Sequence, residues 1–458
     1  MPYIGRLFHQ ACSVCRQLAN RFRNAERGAV AIMVALAVVP LVVGGGLAVD
    51  LSRAYLVKAR LSHALDAAGL AVGTMRTTSS DPAYLETQFT NFFTANYAAT
   101  DVGTTHDLTF VDNGGILTVT GKATADTIFM RIVGIDTITV SSSAEITVET
   151  SGLELVMVLD NTGSMSGSKL SSMKTAALDL IDIVFAGEST PDNIKVGLVP
   201  FSGSVNIGTG MSAYVNDTAA YDWGTTSWDG CVMARSYPED VDDSSVAAGG
   251  YWDPFYWPDH DWYNNWDRGS YYSIDSSPPS TKGPNKYCPL EVTPLTNNRA
   301  TLESEINAQW ASGYTHINFG SVWGWRLISP SEPFTQGSAY GDADWNKAVI
   351  ILTDGDNTTS SSVHTAYQYR GDGVLGSTSS WGTTAELNSR LSEVCTGMKN
   401  AGITVYTITF NVSSSTTQNL FENCATDSDK YYNSPDSATL ALAFRAIGAE
   451  LKNLHLSQ

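Results

Sequence analysis

Leu153-Glu154-Leu155-Val156-Met157-Val158-Leu159-Asp160-Asn161-Thr162-Gly163-Ser164 is the stretch whose reading decides the fold of this chain. Its first part is short, nearly all apolar and partly β-branched, the pattern of a strand buried on both faces of a parallel sheet. At its carboxyl end a carboxylate and two hydroxyls, Asp160, Thr162 and Ser164, stand at alternate positions. Oxygen ligands, few of them charged, at the mouth of an α/β sheet suit a hard divalent cation. The same residue types also make turns and helix N-caps, so the loop alone leaves both readings open.

A second apolar run, Lys347 to Leu352, ends in Thr353-Asp354-Gly355-Asp356-Asn357, and between the two runs lies Gly313-Tyr314-Thr315. Together these segments resemble the von Willebrand factor A domain and its metal-ion-dependent adhesion site. That family's pattern is Asp-x-Ser/Thr-x-Ser, then a distant Thr, then a distant Asp after an apolar strand. The resemblance puts Asp160, Thr162 and Ser164 in a first metal loop, Thr315 (with Ser312 close by) in a second, and Asp354 in a third. It implies a doubly wound, Rossmann-like α/β domain. In it Thr162 and Ser164 coordinate directly, while Asp160 and Asp354 act mainly through bound waters. Mg²⁺ is the expected ion, with Ca²⁺ or Mn²⁺ as alternatives; Mg²⁺ wants octahedral oxygen and gives up its waters reluctantly. A coordination position left free would take a carboxylate from a protein partner. No general base belongs to the motif, and neither Gly-x-Ser-x-Gly nor His-Glu-x-x-His occurs in the sequence, so no enzyme is expected. Of the seven histidines only His316 adjoins a metal loop.

The 458 residues are enough for more than one domain, and the net charge of -19 is unevenly placed. Residues 1–27 carry five Arg and one Glu, leaving about -23 for the remainder. So acidic a body excludes nucleic acid as a partner. From Gly28 to Val49 there is no charged residue. As a helix this run rises roughly 33 Å, enough to cross a bilayer. Arg16, Arg21, Arg23 and Arg27 precede it and Asp50 follows, which puts the amino terminus in the cytoplasm and the bulk outside. Its length favours a retained anchor over a cleaved signal peptide. Pro40 and Gly44-Gly45-Gly46 are read as a bend or as a place for close approach by a neighbour.

Beyond Asp50, Leu51, Tyr55, Leu61, Leu65, Ala68 and Val72 recur at helical intervals, and Pro82 to Tyr97 reads as another helix. Alternating stretches at 107–111, 116–122 and 137–149 read as antiparallel strands, with Asn113-Gly114-Gly115 as the first turn. This layout is similar to that of pilins. Arg27-Gly28-Ala29-Val30-Ala31-Ile32, the apolar run and Asp50-Leu51-Ser52-Arg53-Ala54-Tyr55 resemble the amino-terminal region of TadG-type proteins of the bacterial tight-adherence (Flp) pilus system. Many of those carry a carboxyl-terminal von Willebrand A domain. The resemblance implies a single-pass inner-membrane protein with its bulk in the periplasm or at the cell exterior. It implies a role in Flp pilus assembly or adhesion, with a pilus-system or surface component as partner. The alternative is a passive envelope or pilus scaffold whose ion is only structural. Flp pilins have Glu five residues after the processing glycine where this chain has Met33, so an anchored assembly factor is expected in place of a polymerising subunit.

The expected organisation is a basic tail at 1–27, a membrane helix at 28–49, an α+β region at 50–150 and the A domain at 151–458. Insertions are placed at about 208–298 and about 358–381. Cys12 and Cys15 fall on the cytoplasmic side, where thiols stay reduced. With no second pair beside them, they predict no zinc site. The other four pair most simply within local regions, Cys231–Cys288 and Cys395–Cys424, out of three possible connectivities. The first insertion holds Trp223, Trp228, Trp252, Trp257, Trp262 and Trp266. These rings either form a glycan- or protein-binding surface, with Asp253, Asp259, Asp261 and Asp267 available to Ca²⁺ or sugar hydroxyls, or give a disulfide-tied excursion its own core. The second reading is favoured. The Ser/Gly-rich second insertion lies beside Asp354 and reads as a cover for the metal site or, by composition, as disordered. Helices at 169–185, 299–310 and 438–454 and strands at 195–201 and 404–410 complete the doubly wound sheet.

Overall fold

A 51-residue helix, α1 (Glu26–Arg76), changes character along its length. From Ile32 to Val49 every residue is exposed except Gly46, and the helix is long and apolar enough to cross a membrane. Beyond Asp50 it becomes amphipathic. Ala54, Val57, Leu61, Ala64, Leu65, Ala68 and Val72 are buried, at the three- and four-residue intervals of one helix face. Leu51 and Tyr55, read from sequence as part of that face, lie on the exposed side.

The computed structural model describes residues 26–76, 81–97, 103–113, 116–147, 151–260, 263–267 and 273–456. The basic tail with Cys12 and Cys15, the glycines of the first turn, and Asp261 and Trp262 lie outside the described residues. The chain divides into two compact units, Met1–Val148 and Glu149–Gln458.

In the first unit α2 (Pro82–Asn96) starts on the Asp81 side chain, which accepts from the Ala83 N–H, and has Pro82 in its first turn, a favoured helix start. Strands β1 (Thr104–Asn113), β2 (Ile116–Asp126) and β3 (Thr137–Thr147) form an antiparallel sheet in chain order. Leu117, Val119, Ala123 and Ala125 of β2 meet the buried stripe of α1 and Leu85, Phe89 and Phe93 of α2.

The second unit is built on a mixed sheet whose central part is parallel. Its strands are β4 (Gly152–Asp160), β5 (Ile194–Phe201), the short β6 (Val205–Asn206) and β7 (Cys231–Val232), β8 (Thr293–Thr296), β9 (Trp345–Thr353), β10 (Thr404–Phe410) and β11 (Tyr431–Ser434). The order is β11-β10-β9-β4-β5-β6-β7, with β8 antiparallel to β5. All nine residues of β4 are buried, as the apolar run Leu155–Leu159 at its centre requires. Leu153, Leu155, Met157 and Leu159 pack on one face with α3 (Ser168–Phe185), α4 (Arg299–Ala308) and α8 (Ser437–Leu456). Val156 and Val158 pack on the other with α5 (Ile317–Ile328), α6 (Ser380–Asn400) and α7 (Ser415–Cys424). On this face Gly324 must stay without a side chain, since a Cβ there would lie 2.4 Å from Val158 Cγ2.

The described residues of the two excursions are built into this fold. Cys231 is bonded to Cys288 and Cys395 to Cys424. Trp228, Trp252, Trp257 and Trp266 are buried, so these rings form cores and are not presented as a sugar-stacking surface. Strand β8, within the range read as insertion, belongs to the main sheet. The second excursion is not a disordered loop. Val363, Ala366, Tyr367 and Leu375 are buried, and the Tyr367 hydroxyl donates to Asp240 at 2.8 Å.

Glu154 is the one charge on β4 remote from the metal loops, and it is fully buried. It accepts from Lys347 at 2.5 Å, from Lys195 at 3.0 Å and from the Ser338 N–H at 3.0 Å. Removing one member of such a group strands a buried countercharge. Glu154→Gln should therefore lower the stability of the second unit by about 3 kcal/mol, read as a shift in its urea-unfolding midpoint with unchanged slope.

Candidate metal centre

The sheet order fixes where a site can lie. From β4 the chain moves outward to β5, then returns to the other side of β4 to add β9, β10 and β11, so the winding reverses between β4 and β9. Ligands of open α/β sheets bind at the carboxyl ends of strands flanking such a reversal. Asp160 ends β4, and Asp354 directly follows β9.

Their side chains meet. Ser164 donates to Asp354 Oδ1 at 2.6 Å, and the Thr162 and Ser164 hydroxyls are 2.9 Å apart. Asp160 Oδ1 accepts from the Thr162 N–H at 2.9 Å and Oδ2 from the Thr353 hydroxyl at 2.7 Å. Lys169, in the first turn of α3, donates to Asp354 Oδ2 at 2.7 Å. The second loop is tied to the first through its backbone. Ser312 donates its N–H to Asn161 O at 2.7 Å, and Gly163 donates to Gly313 O at 3.1 Å. Thr315 is tied to the third loop: its N–H donates to Thr358 Oγ1 at 3.0 Å and its carbonyl accepts from Thr358 N at 2.9 Å. The structure thus brings Asp160, Thr162, Ser164 and Asp354 into side-chain contact, and brings Thr315 beside them through the backbone.

The electrostatics fit a cation. Asp160 is fully buried, and desolvation first, then the charge of Asp354, pushes its carboxyl up to about 6; hydrogen bonds from Thr162 and Thr353 offset this in part. The Lys169 ammonium supplies the positive charge that Asp354 otherwise lacks. Two carboxylates and two hydroxyls converging without nitrogen or sulfur are a donor set for a hard ion. Thr162 and Ser164 would hold such an ion, with Asp160 and Asp354 balancing its charge. The ion would supply a Lewis-acidic position for an incoming oxygen ligand. Among the described residues no three His, Cys, Asp or Glu side chains gather into a metal-sized group, here or elsewhere, so the donors at this site are two carboxylates and hydroxyls.

Sequence reading missed Lys169 and the tightness of the surroundings. Tyr314 packs with Phe255, Trp257, Tyr287 and Val363, so the aromatic excursion braces the loop that carries Thr315. His316 is fully buried, and burial lowers its pKa to about 3, leaving a neutral ring against Tyr367 at 5.6 Å. Of the acids proposed for Ca²⁺ or sugar, Asp253 accepts from Asn216, and Asp259 from the Asp267 N–H.

A doubly wound sheet with these three loops at its reversal is the arrangement that the resemblance to von Willebrand factor A domains implies. Residues 28–75 match the family described as putative Flp pilus-assembly TadE/G-like. No curated protein matches the sequence. Similar solved structures include the von Willebrand domain of the type V pili tip protein Mfa5 from Porphyromonas gingivalis, at 12% identity and TM-score 0.38, covering 68% of this chain and 97% of that one. The pilus adhesin SpaC from Lactobacillus rhamnosus GG aligns at 11% identity and TM-score 0.36, over 78% of this chain and 37% of that one. Proximal thread matrix protein 1 from the mussel byssus, with a zinc-occupied MIDAS motif, aligns at 12% identity and TM-score 0.32, over 68% and 47%.

The raised Asp160 pKa sets a pH dependence. Because the folded value lies above the ordinary carboxyl value of 3.8, its contribution to stability is present below about pH 4 and lost as pH rises through about 6. The loss is on the order of 3 kcal/mol. His316, with its folded pKa depressed, works the opposite way: its contribution is present above about 6.5 and falls as pH drops. Comparison with Asp160→Asn separates them. In chelator, the variant should gain thermal stability relative to the wild type as pH is raised from about 4 to about 7. A constant difference would show that Asp160 does not titrate in this range.

Proposed function

We propose that the chain is a membrane-anchored extracytoplasmic protein of Flp pilus assembly or adhesion that binds a protein partner through a divalent ion. The observation that carries this reading is the convergence of Asp160, Thr162, Ser164 and Asp354 at the winding reversal of the sheet. The proposed ion is Mg²⁺, with Ca²⁺ and Mn²⁺ as alternatives, and Thr315 completes the set from the second loop. The partner, a pilus-system or surface component, donates a carboxylate to the open position. The TadE/G-like segment at residues 28–75 supports the pilus connection. The apolar half of α1 supports a single span, with the amino terminus in the cytoplasm of a bacterium and both units in the periplasm or at the cell exterior. Trp381, 84% exposed in the first turn of α6, offers an apolar contact near the third loop, because Thr384 one turn on donates to the Asn357 carbonyl. Binding, not turnover, is the chemistry of such a centre.

The Lys169–Asp354 ion pair favours a second reading, a passive scaffold, because it balances part of the charge without an ion. Calorimetric titration of the full chain in nanodiscs with Mg²⁺, Ca²⁺ and Mn²⁺ separates the readings, followed by capture of purified Flp filaments with and without chelator. Saturable ion binding that Asp160→Ala abolishes, together with filament capture lost in chelator, is expected. Filament capture that persists in chelator and in Asp160→Ala would establish the scaffold.

A further inference from the structure

The connection from β2 to β3 leaves an apolar cluster uncovered. In Ile128-Phe129-Met130-Arg131-Ile132-Val133-Gly134-Ile135, the side chains of Ile128, Ile132, Val133 and Ile135 are 55%, 75%, 56% and 43% exposed. Scattered exposed aliphatics need no explanation, but four within one short loop form a contiguous patch of the kind that marks a contact surface.

This loop is held rigidly, and the place where it is held is informative. The Asp50 carboxylate, itself buried, accepts N–H bonds from Ile128 at 2.9 Å, Phe129 at 2.8 Å and Met130 at 2.7 Å. The Thr127 hydroxyl closes the neck on the carbonyls of Ile135 and Asp136. Phe129 lies so close to α1 that a Cβ at Gly46 would come within 2.5 Å of its Cβ and Cγ. Asp50 is the first charged residue after the apolar run, and Gly46 is four residues inside it, roughly 6 Å along the axis. The loop is therefore pinned across the boundary where the uncharged run of α1 ends. Beside it on the helix, Val42, Val43, Leu47 and Val49 are also exposed, so helix and loop make one continuous apolar surface.

We propose that residues 128–135 are a second membrane contact, inserted into the interfacial layer of the same bilayer that α1 crosses. The proposal rests on the reading of α1 as a membrane span. Lipid is the occupant because the patch continues the lipid-facing surface of the helix and sits at the end of the apolar run. Apolar segments at that level bury about 5–10 Å into the boundary of headgroup and acyl chain. Arg131, exposed and paired with Asp136 at 3.2 Å, reaches the level of the headgroups. With two points in the membrane, helix and loop, the first unit has a fixed rotation about the helix axis and a fixed face toward the bilayer.

Depth-dependent quenching tests this in the full chain. Cys12 and Cys15 are changed to Ser, and an environment-sensitive fluorophore is placed through Ile132→Cys, Val38→Cys or Thr90→Cys. The protein is reconstituted in phosphatidylethanolamine/phosphatidylglycerol vesicles doped with nitroxide lipids. The label at position 132 should be blue-shifted and quenched most by nitroxides near the headgroup. The label at 38 should be quenched by nitroxides deep in the acyl region, and that at 90 by neither. Quenching at 38 with a water-like, unquenched label at 132 would overturn the loop contact and leave the anchor standing. No quenching at 38 would remove the span itself, and the proposal with it.

Discussion

Two carboxylates compete for one dry crevice, and much of the second unit is arranged around that conflict. Neighbouring parallel strands β4 and β9 deliver Asp160 and Asp354 to the same end of the sheet, and Asp160 arrives with no exposure to water. In a low-dielectric setting such a pair is costly unless positive charge or many N–H and O–H donors face it. The first metal loop supplies donors from Thr162 and Ser164, Thr353 supplies another, and the first turn of α3 supplies Lys169. The loop following Asp160 is thus more than a connection. It compensates the charge that the strand positions, and it leaves hydroxyl oxygens turned toward the same space.

That the flanking loops stay in place is a matter of packing on the far side. Arg326 of α5 is buried, and its guanidinium donates to the carbonyls of Asp242 and Glu239 while stacking over Trp252 and Trp323. Asp240 joins Tyr367 of the second excursion to Arg390 of α6. Both excursions are therefore fastened to the helices of one sheet face by a buried polar network as well as by aromatic packing. The network is not complete, since Arg326 Nη1 and Asp240 Oδ1 are buried without a partner, but its charged hydrogen bonds still fix where the excursions sit. This is how segments poor in aliphatic residues become a rigid wall beside Tyr314 and Thr315 instead of a loose flap.

The legible and illegible parts of the chain divide along physical lines. Strands buried on both faces announce themselves by composition, so β4, β5, β9 and β10 were readable, and so was the amphipathic α8. Helix α5 was not, because all twelve of its residues are buried, including Asn318, Ser321 and Arg326, and a helix enclosed on every side has no polar stripe to reveal its period. The second excursion misled for the converse reason: its Ser and Gly content suggests disorder, whereas Tyr367 and its neighbours are fixed by partners far away in sequence. In the loops after β4 and β9 the residue types were enough to single out Asp160, Thr162, Ser164 and Asp354 as candidates, and the fold brings their side chains together. Lys169 carries no signal in isolation, since a lysine one helical turn past a loop is ordinary until the fold shows the carboxylate in front of it.

Helix α1 shows the same principle along a single element. Its amino-terminal half is apolar on all sides and exposed, so no solvent-facing stripe exists and composition alone identifies it. Its second half hides one face against β2 and α2, and there periodicity identifies it. Between the halves a single residue separates the two regimes. Asp50 is polar enough to end the apolar run, yet it is buried, because it spends its oxygens on three backbone N–H groups of a loop nearly eighty residues away. A helix that only needed to stop being apolar would carry a solvated charge at that position. A carboxylate turned inward to hold a loop of exposed isoleucines and valine couples the end of the apolar run to the placement of the domain that follows it.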